Sequence, residues 1–321
     1  MTGAAGFVGY HVARALLDRG QCVLGVDDLN DYYDVRLKEA RLSLLCKYSG
    51  FCFARADVAD RFIMRQLIED NLDIVDIVHL AAQAGVRHSL IDPYVYIQSN
   101  VMGHLVLLEE ARRLNGLRHM VYASSSSVYG SNQSLPFREA DRVDCPTSLY
   151  AVTKRTGELM SYAYGHLYGL PQTGLRFFTV YGPWGRPDMA YYSFARAIVA
   201  GTPIVLYDRG AVMRDFTYID DIVSGVVGCL DRPPTDDPPV RLLNIGNHRS
   251  EPVVALVMLL EQTLGKKATI HYSPRPPVDV AQTFASVDEI GTLTGFFPTT
   301  SLKEGIPKFV DWFKSWHSMS A

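Results

Sequence analysis

The sequence has no apolar run long enough to span a membrane, and it does not open with the basic, apolar and small-residue segments of a secretion signal. It also lacks an excess of charge of either sign, because 31 Lys and Arg residues stand against 34 Asp and Glu for a formal net charge of -3. Neither nucleic acid nor a membrane is therefore predicted as a partner. We expect a cytoplasmic protein.

Cysteine is scarce, and neither the cysteines nor the histidines have the spacing of a disulfide framework or of a metal site. The five cysteines are odd in number, never form Cys-x-x-Cys, and lie apart at Cys22, Cys46, Cys52, Cys145 and Cys229. This pattern favours free thiols in a reducing compartment over a disulfide framework. The nine histidines show no metal-ligand spacing, so we predict that the protein holds no metal.

Short apolar segments alternate with segments of helical periodicity along the 321 residues, 48% of which are hydrophobic. Strand-like segments end at Asp57-Val58, at Leu80-Ala81-Ala82 and at Ser124-Ser125. This alternation predicts an α/β fold with a doubly wound parallel sheet of Rossmann type. The three strand ends are expected to form a common wall around a cofactor.

Two parts of the chain differ in character. Residues 1–178, with residues 219–246 returning to them, are predicted to bind the cofactor. Residues 179–218 and 247–321 are predicted to form a smaller C-terminal α/β substrate domain. Within it, the run TVYGPWGRPDMAYYSFARAI is expected to be a loop-rich substrate wall, and residues 204–207 and 213–218 a strand pair. No strand precedes Thr2, although such a sheet normally has one there, so we expect a trimmed start.

Glycines open the chain at the spacing of a dinucleotide site. Gly3, Gly6 and Gly9 lie at the mouth of an amphipathic helix, where they permit a tight turn and a close approach of the backbone to a pyrophosphate. A glycine-rich helix cap is the alternative. The next apolar run ends at Asp27, whose carboxylate can accept hydrogen bonds from ribose hydroxyls and repel a 2′-phosphate. We therefore predict NAD rather than NADP, over the alternative of a solvated aspartate.

Tyr150 and Lys154 lie one helical turn apart and so share a helix face. A free tyrosine is a poor base because its pKa lies about three units above physiological pH. Lys154, together with the positive ring of an oxidised nicotinamide, would favour the phenolate and lower that pKa. A hydroxyl from the serine cluster at 124–127 would complete a proton-transfer site. Taken alone, Tyr-x-x-x-Lys is equally typical of an ordinary amphipathic helix.

In this order, the glycines, the serine strand and Tyr-x-x-x-Lys resemble the extended short-chain dehydrogenase/reductase family over nearly the whole chain. Within that family, the chain resembles bacterial UDP-glucuronate 4-epimerases in the runs HLAAQAGVRHSL, YASSSSVYG, SLYAVTK, GLRFFTVYGPWGRPDM and MRDFTYIDDIV. The resemblance implies NAD-dependent epimerisation of UDP-glucuronate to UDP-galacturonate through a 4-keto intermediate. It also implies a homodimer formed by helices at 93–114 and 148–168.

The resemblance assigns roles to individual residues. Tyr150 would take the proton of the sugar O4, Lys154 would hold the nicotinamide ribose, and Ser125 would hydrogen-bond O4, with Ser126 and Ser127 as competitors. The implied NAD contacts, besides Tyr150 and Lys154, are Gly3, Gly6, Phe7, Val8, Gly9, Asp27, Asn30, Asp57, Val58, Leu80, Ala81, Ala82 and Asn100. The implied substrate contacts are Gln83, Val86, Arg87, Ser125, Ser127, Thr179, Arg186, Tyr207, Arg214 and Asp279.

A glucuronyl substrate poses a particular problem, because its 4-keto form is a β-keto acid that loses carbon dioxide when the C5–C6 bond aligns with the carbonyl π system. Arg186 is predicted to pin the carboxylate out of that alignment, over the alternative of a surface arginine. The chain departs from related epimerases at Val278-Asp279, where they carry Gly-Asp.

Three other activities were weighed against this one. Family members that dehydrate or decarboxylate carry carboxylates where this chain has Ser126 and Ser127, which disfavours both reactions. An epimerase of neutral UDP-hexoses, such as UDP-glucose or UDP-N-acetylglucosamine, is the enzymatic alternative. A catalytically silent NAD-binding regulator is the alternative of another class.

Overall fold

A computed structural model describes residues 1–319 of the chain. Its helices are α1 (Phe7–Asp18), α2 (Val35–Leu45), α3 (Arg61–Glu69), α4 (Pro93–Tyr96), α5 (Gly103–Ala111), α6 (Leu149–Tyr168), α7 (Ala190–Ala200), α8 (Ile219–Leu230), α9 (Val253–Leu264), α10 (Asp288–Thr294) and α11 (Leu302–Met319). Its strands are β1 (Val23–Asp27), β2 (Phe51–Arg55), β3 (Asp76–His79), β4 (His119–Ser125), β5 (Gln172–Phe177), β6 (Thr179–Tyr181), β7 (Ile204–Tyr207), β8 (Met213–Arg214), β9 (Phe216–Tyr218), β10 (Val240–Ile245), β11 (Glu251–Pro252) and β12 (Ile270–Ser273).

The central sheet is parallel throughout. Its strands pair in the order β3-β4-β5-β10, and β1 pairs with β2. Thr2 joins these two groups, because it forms parallel bridges to Val26 of β1 and to His79 of β3. Met1 and Thr2 thus hold the place between β1 and β3 that the first strand of such a sheet would take.

Helices cover both faces of this sheet. On one face α1 packs against α2 and α8, and on the other α5 packs against α3 and α6. Strand β4 contributes to both cores, because Val121 packs with the first group and its neighbours Met120 and Tyr122 pack with the second. Alternate residues of a strand point to opposite faces, so a strand that is apolar at successive positions is buried on both. The predicted doubly wound parallel sheet is confirmed.

Three short strand pairs and the helices α7, α9 and α11 form the remainder. β6 pairs with β9 and β7 with β12, both parallel, whereas β8 pairs with β11 antiparallel. The predicted pairing of residues 204–207 with 213–218 is therefore wrong. Each segment instead finds its partner elsewhere in the chain, because the partner of a short strand is set by packing and not by proximity in sequence.

The expected loop-rich wall at residues 179–198 is also wrong in part. It begins as β6, and its irregular portion ends at Met189, immediately before α7. From there Tyr191, Ala195 and Ile198 recur at helical spacing and are buried, with no Gly or Pro to interrupt them. The helical segment expected at residues 93–114 is divided by a π-helical turn at Ile97–Met102, and α10 was not predicted.

Within residues 1–319, no helix combines the length and the apolar character that crossing a bilayer requires. In the same part of the chain, no three His, Cys, Asp or Glu side chains are grouped as ligands for a metal ion.

Candidate active site

A cavity of about 380 Å³ opens where β1, β2, β3 and β4 end. It brings together most of the predicted site residues: Gly3, Gly6, Phe7, Val8, Gly9, Asp27, Asn30, Asp57, Val58, Leu80, Ala81, Ala82, Gln83, Val86, Ser125, Ser126, Ser127, Tyr150, Lys154, Thr179 and Arg186. The three strand ends singled out in the sequence do form one wall. Five predicted residues do not line the cavity, namely Arg87, Asn100, Tyr207, Arg214 and Asp279.

The glycine turn brings the first backbone N–H groups of helix α1 to the cavity wall. Gly3 has a φ of 71°, and a Cβ on Gly9 would lie 1.8 Å from the carbonyl oxygen of Gly3. Helix α1 follows Gly6 without a side-chain cap, so its first N–H groups and the positive end of its dipole are available at the cavity wall. A diphosphate fits this position because it is anionic and accepts hydrogen bonds from the backbone.

Asp27 lies beside the glycine turn at the end of β1. Its carboxylate accepts hydrogen bonds from the backbone N–H groups of Ala5 at 3.1 Å and Leu29 at 3.0 Å. Burial raises the pKa of this carboxyl group, and both the Leu29 hydrogen bond and the charge of Lys38 oppose the rise. Lys38 also donates to the backbone and side-chain oxygens of Asn30. A fixed carboxylate here fits the ribose of the adenosine half of NAD.

Helix α6 brings Tyr150 and Lys154 to the same cavity. Ser148 caps the helix, because its hydroxyl accepts a hydrogen bond from the N–H of Ala151. The Lys154 ammonium donates to the carbonyl oxygen of Ala123 at 2.9 Å, and burial lowers the pKa of Lys154 to about 8. The one-turn spacing thus places both side chains on one wall, as the sequence predicts.

Burial raises the pKa of the Tyr150 hydroxyl above its ordinary value, while a hydrogen bond with Ser125 and the charge of Arg186 oppose that rise. From the sequence, this opposing effect is expected from Lys154 and from the nicotinamide ring. In the structure Arg186 is a further cation that lowers the Tyr150 pKa, and the Lys154 ammonium also donates to the carbonyl of Ala123.

The serines after β4 have different neighbours. Ser124 donates to the buried carboxylate of Glu158 at 2.6 Å. The Ser125 hydroxyl donates to the Ser127 hydroxyl at 3.1 Å, and Ser125 is the serine that opposes the rise in the Tyr150 pKa. Ser126 lines the cavity but begins the 3-10 turn Ser126–Tyr129. Ser125, Ser126 and Ser127 therefore all remain on the cavity wall, and Ser125 is the one that affects the Tyr150 pKa.

Arg186 reaches the cavity from the loop between β6 and α7. Its Nε donates to Oδ1 of Asp188 at 3.1 Å and its Nη2 to Oδ2 at 2.9 Å. Burial alone would lower the pKa of this guanidinium, but Asp188 outweighs burial and the pKa is raised. About a fifth of the Arg186 side chain (21%) stays exposed, and this residue lines the cavity. A permanent cation is therefore available to a ligand beside Tyr150.

The predicted nucleotide contacts outside the cavity form a cluster of their own. Arg87 donates to the Asp279 carboxylate at 2.6 Å, and its guanidinium lies 4.7 Å from the centre of the Tyr207 ring. Arg275 donates to the Asp279 carbonyl oxygen. Burial lowers the pKa of Arg214 to about 10, and the charges of Arg275 and Arg87 act in the same direction. Three guanidinium groups thus outnumber the carboxylates of Asp279 and Asp208 that pair with them, and this excess of positive charge suits a second anionic group of a ligand.

Asn100 supports the cavity wall from behind. Its amide donates to the backbone carbonyl of Gln83 at 2.9 Å and to the Thr153 hydroxyl at 3.0 Å, while its oxygen accepts from the N–H of Gln83 at 2.8 Å. The π-helical turn that contains Asn100 therefore fixes the strand-end loop that follows β3.

Several wall residues were missed by the sequence analysis: Asp28, Tyr32, Tyr33, Lys38, Ala56, Ala84, Gly85, Ser99, Ala123, Phe177, Phe178, Val180 and Met189. Tyr32 shows why. It follows β1 in a loop, but its hydroxyl would lie 2.7 Å from a Cβ on Gly85, far along the chain. Two adjacent tyrosines in the loop after the first strand were the available signal, because binding residues concentrate in such loops.

Comparisons with known proteins agree with this site. Residues 1–246 match the model of the family described as "NAD dependent epimerase/dehydratase family". The chain is 43% identical to a "Probable UDP-glucuronate 4-epimerase" of Rhizobium meliloti, over 98% of this chain and 96% of that protein. It is 46% identical to "UDP-glucuronate 4-epimerase 1" of Arabidopsis thaliana, over 99% of this chain and 76% of that protein.

Among solved structures, the chain is similar to the UDP-glucuronic acid 4-epimerase of Bacillus cereus in complex with UDP-glucuronic acid and NAD. The TM-score is 0.90 at 33% identity, and 98% of each chain is covered.

Proposed function

Since the chain belongs to the NAD-dependent epimerase/dehydratase family, we propose that it is an NAD-dependent epimerase that interconverts UDP-glucuronate and UDP-galacturonate at C4. The observation that carries the proposal is the convergence of Tyr150, Lys154, Ser125 and Arg186 on one cavity beside an open glycine turn. The first three form a proton-transfer site, and the fourth is a cation suited to the acid group of the sugar.

The glycine turn and Asp27 hold the cofactor in this proposal. The first N–H groups of α1 bind its diphosphate, and Asp27 accepts hydrogen bonds from the adenosine ribose. Lys154 binds the nicotinamide ribose at the other end. When bound, NAD accepts hydride from C4 of the sugar and returns it to the opposite face. No external reductant is consumed.

Tyr150 moves the proton that accompanies this transfer. Its hydroxyl, once deprotonated, takes the proton of the sugar O4 and later returns it, while Ser125 donates a hydrogen bond to O4. The raised pKa of Tyr150 means that the free protein holds the proton on the phenol. The positive charges of Arg186 and of the cofactor ring lower the cost of removing it.

The uridine diphosphate extends from the cavity toward the cluster of Arg87, Tyr207, Arg214 and Asp279. Thr179, at the start of β6, lies on the cavity wall. The diphosphate replaces part of the contact that Asp279 makes with Arg87, because it carries two negative charges and a carboxylate carries one. This arrangement supports a division of labour in which residues 1–178 and 219–246 bind NAD, and residues 179–218 and 247–321 bind the nucleotide sugar.

Arg186 is the residue that favours an acidic sugar as the substrate. The 4-keto form of the glucuronyl group decarboxylates when its C5–C6 bond aligns with the carbonyl, and a guanidinium bound to the carboxylate prevents that rotation.

One observation favours the runner-up, an epimerase of neutral UDP-hexoses: Asp188 already neutralises Arg186 in the free protein. A carboxylate on the substrate is therefore helpful but not obligatory for charge balance.

The test compares UDP-glucuronate with UDP-glucose as substrates of the purified protein with NAD, and separates the 4-epimers from any UDP-pentose. We expect UDP-galacturonate from UDP-glucuronate and little turnover of UDP-glucose. Arg186→Ala should weaken binding of the acid sugar far more than that of the neutral sugar. Turnover of UDP-glucose alone would establish the runner-up. No turnover of either sugar, with Tyr150→Phe indistinguishable from the wild type, would establish a non-catalytic protein.

The protein is proposed to act as a homodimer through the helices at 93–114 and 148–168. Large apolar side chains on these segments face solvent in the single chain, among them Tyr94 at 84% exposure and Tyr162 at 56%. Burying such a surface is a main driving force of association. Tyr162→Lys should shift the mass found by sedimentation from two chains to one. Phe297→Lys is the control, because that residue is 64% exposed at another site; loss of the dimer in both variants would contradict the proposal.

The cytoplasm is proposed as its location. All five cysteines are free thiols in the structure, and four of them are exposed. Exposed thiols persist in a reducing compartment.

A further inference from the structure

In the Arg186–Asp188 pair, Asp188 occupies one edge of the guanidinium and leaves the edge with Nη1 free for a ligand. The fork made by Nε and Nη2 of Arg186 is occupied by the two oxygens of Asp188, and Nη2 also contacts the sulfur of Met189 at 3.6 Å. Within residues 1–319, no group accepts a hydrogen bond from Nη1. A guanidinium has five N–H groups in a rigid plane, so filling one edge decides where the other edge points.

The backbone at this site is fixed as well. The N–H of Met189 donates to the carbonyl of Arg186 at 3.2 Å, which closes a turn around Pro187 and Asp188. Proline restricts the turn further because its ring sets φ. On the far side of the pair, the Tyr32 hydroxyl donates to Oδ2 of Asp188 at 3.3 Å. Asp188 is thus held between Arg186 and a residue of the loop after β1.

Asp188 does not itself line the cavity, whereas both of its partners do. We infer that Asp188 is a positioning residue that holds Arg186 side-on, so that Nη1 restrains the substrate carboxylate and keeps the 4-keto intermediate from losing carbon dioxide. This inference rests on the proposed function. It assigns the fidelity of the reaction, rather than the affinity for the substrate, to Asp188.

Removing the Asp188 charge has two separate effects, one on the attraction to the substrate carboxylate and one on the restraint of the Arg186 side chain. Arg186 keeps its own charge and loses a competing anion, so the attraction to a substrate carboxylate is not reduced. The side chain loses its two-point restraint, however, and the carboxylate can then rotate. In the resulting side reaction the C5–C6 bond breaks, carbon dioxide leaves, and the electron pair passes into the C4 carbonyl as an enolate. C5 then takes a proton from water, and the return of hydride to C4 gives a UDP-pentose.

The experiment uses the full chain with NAD and UDP-glucuronate labelled at C6. It measures released carbon dioxide and UDP-pentose against UDP-galacturonate. For Asp188→Asn we expect the ratio of decarboxylated to epimerised product to rise about tenfold, the scale set by the loss of one two-point charged contact. The KM for UDP-glucuronate should not rise. Asp188→Glu, which keeps the carboxylate, should restore part of the fidelity.

The matched control is Asp144→Asn. Asp144 accepts hydrogen bonds from the arginine two residues before it, in the same order as Asp188, but at an exposed site away from the cavity. Its product ratio should equal that of the wild type. Tyr32→Phe removes the outer contact of Asp188 and should change the ratio in the same direction by a smaller amount, which keeps the inference testable if Asp188→Asn does not fold.

The outcomes are distinct. An unchanged product ratio in Asp188→Asn and in Tyr32→Phe, with epimerisation by the wild type intact, would overturn the inference and leave the proposed function standing. A raised KM and a lowered kcat with unchanged products would show a merely structural role and would also overturn it. If the wild type forms no UDP-galacturonate, the proposed function and the inference fall together.

Discussion

Replacing Glu158 by Gln should destabilise the protein strongly, although the change is isosteric. Glu158 lies on α6, one turn after Lys154, and its side chain is fully buried. It accepts hydrogen bonds from Ser124 at 2.6 Å, from Nε and Nη2 of Arg176 at 2.8 and 3.0 Å, and from Arg155 at 2.9 Å. Each carboxylate oxygen therefore has two donors.

The size of this destabilisation follows from two properties that glutamine lacks, a second acceptor oxygen and a negative charge. Its amide nitrogen would face N–H donors instead of accepting from them, and Arg176, which is also buried, would lose its counter-ion. Removing one partner of a buried ion pair costs roughly 3 to 5 kcal/mol. One side-chain oxygen of Gln still accepts hydrogen bonds, so we expect the free energy of unfolding to fall by about 3 kcal/mol, the lower end of that range. The kcat should fall as well, because the hydrogen bond from Ser124 to Glu158 joins α6 to the end of β4, which carries Ser125.

The assay is urea unfolding, read as the change in midpoint at unchanged slope. Glu109→Gln is the matched control, because Glu109 pairs with Arg112 at 2.8 Å and about a third of each side chain is exposed. An exposed pair contributes at most about 1 kcal/mol. The double variant Glu158→Gln/Arg176→Met should recover part of the loss, since it leaves no buried charge unpaired.

Two results would refute this reasoning. The first is a loss in Glu158→Gln no larger than that in Glu109→Gln. The second is a double variant whose loss equals the sum of those of its two single variants, because coupling between the partners would then be absent.

Two further predictions concern the cofactor end of the cavity and Lys154. Gly9→Ala should abolish NAD binding, because its Cβ would lie 1.8 Å from the Gly3 carbonyl oxygen, whereas Gly116→Ala meets nothing within 4 Å and should retain it; equal NAD content in both purified variants would contradict this. Burial lowers the pKa of Lys154 from 10.5 to about 8, so between these pH values the unfolded chain binds the proton more tightly and stability rises with pH. The stability of the wild type relative to Lys154→Met, measured without ligands, should therefore increase by about 3 kcal/mol over that window; a difference that does not vary with pH would contradict it.

The layout of the cofactor site was predictable because its signals are local. The glycines act within one turn and the start of one helix. Tyr150 and Lys154 are related by a single helical turn, so α6 places them together whatever surrounds it. The ends of the parallel strands fall on one edge of the sheet by topology, and Asp57, Leu80 and Ser125 meet there as expected.

The selection among similar residues was not predictable in this way. Four consecutive serines offer the same hydroxyl, and which of them meets Tyr150 depends on the path of the chain where β4 passes into a 3-10 turn. Similarly, Arg186 lowers the Tyr150 pKa from another loop, and no spacing in the sequence relates these two residues.

The sequence by itself determined the fold class and predicted the cofactor site and the Tyr150–Lys154 pair, because periodicity, glycine spacing and one-turn spacing act over a few residues. Only the tertiary structure decided that Ser124 donates to Glu158, that β7 pairs with β12, and that Asp188 binds both Arg186 and the hydroxyl of Tyr32. The last contact joins residues separated by 156 positions. Such contacts arise when distant segments pack against each other, and no local pattern in the chain encodes their distances.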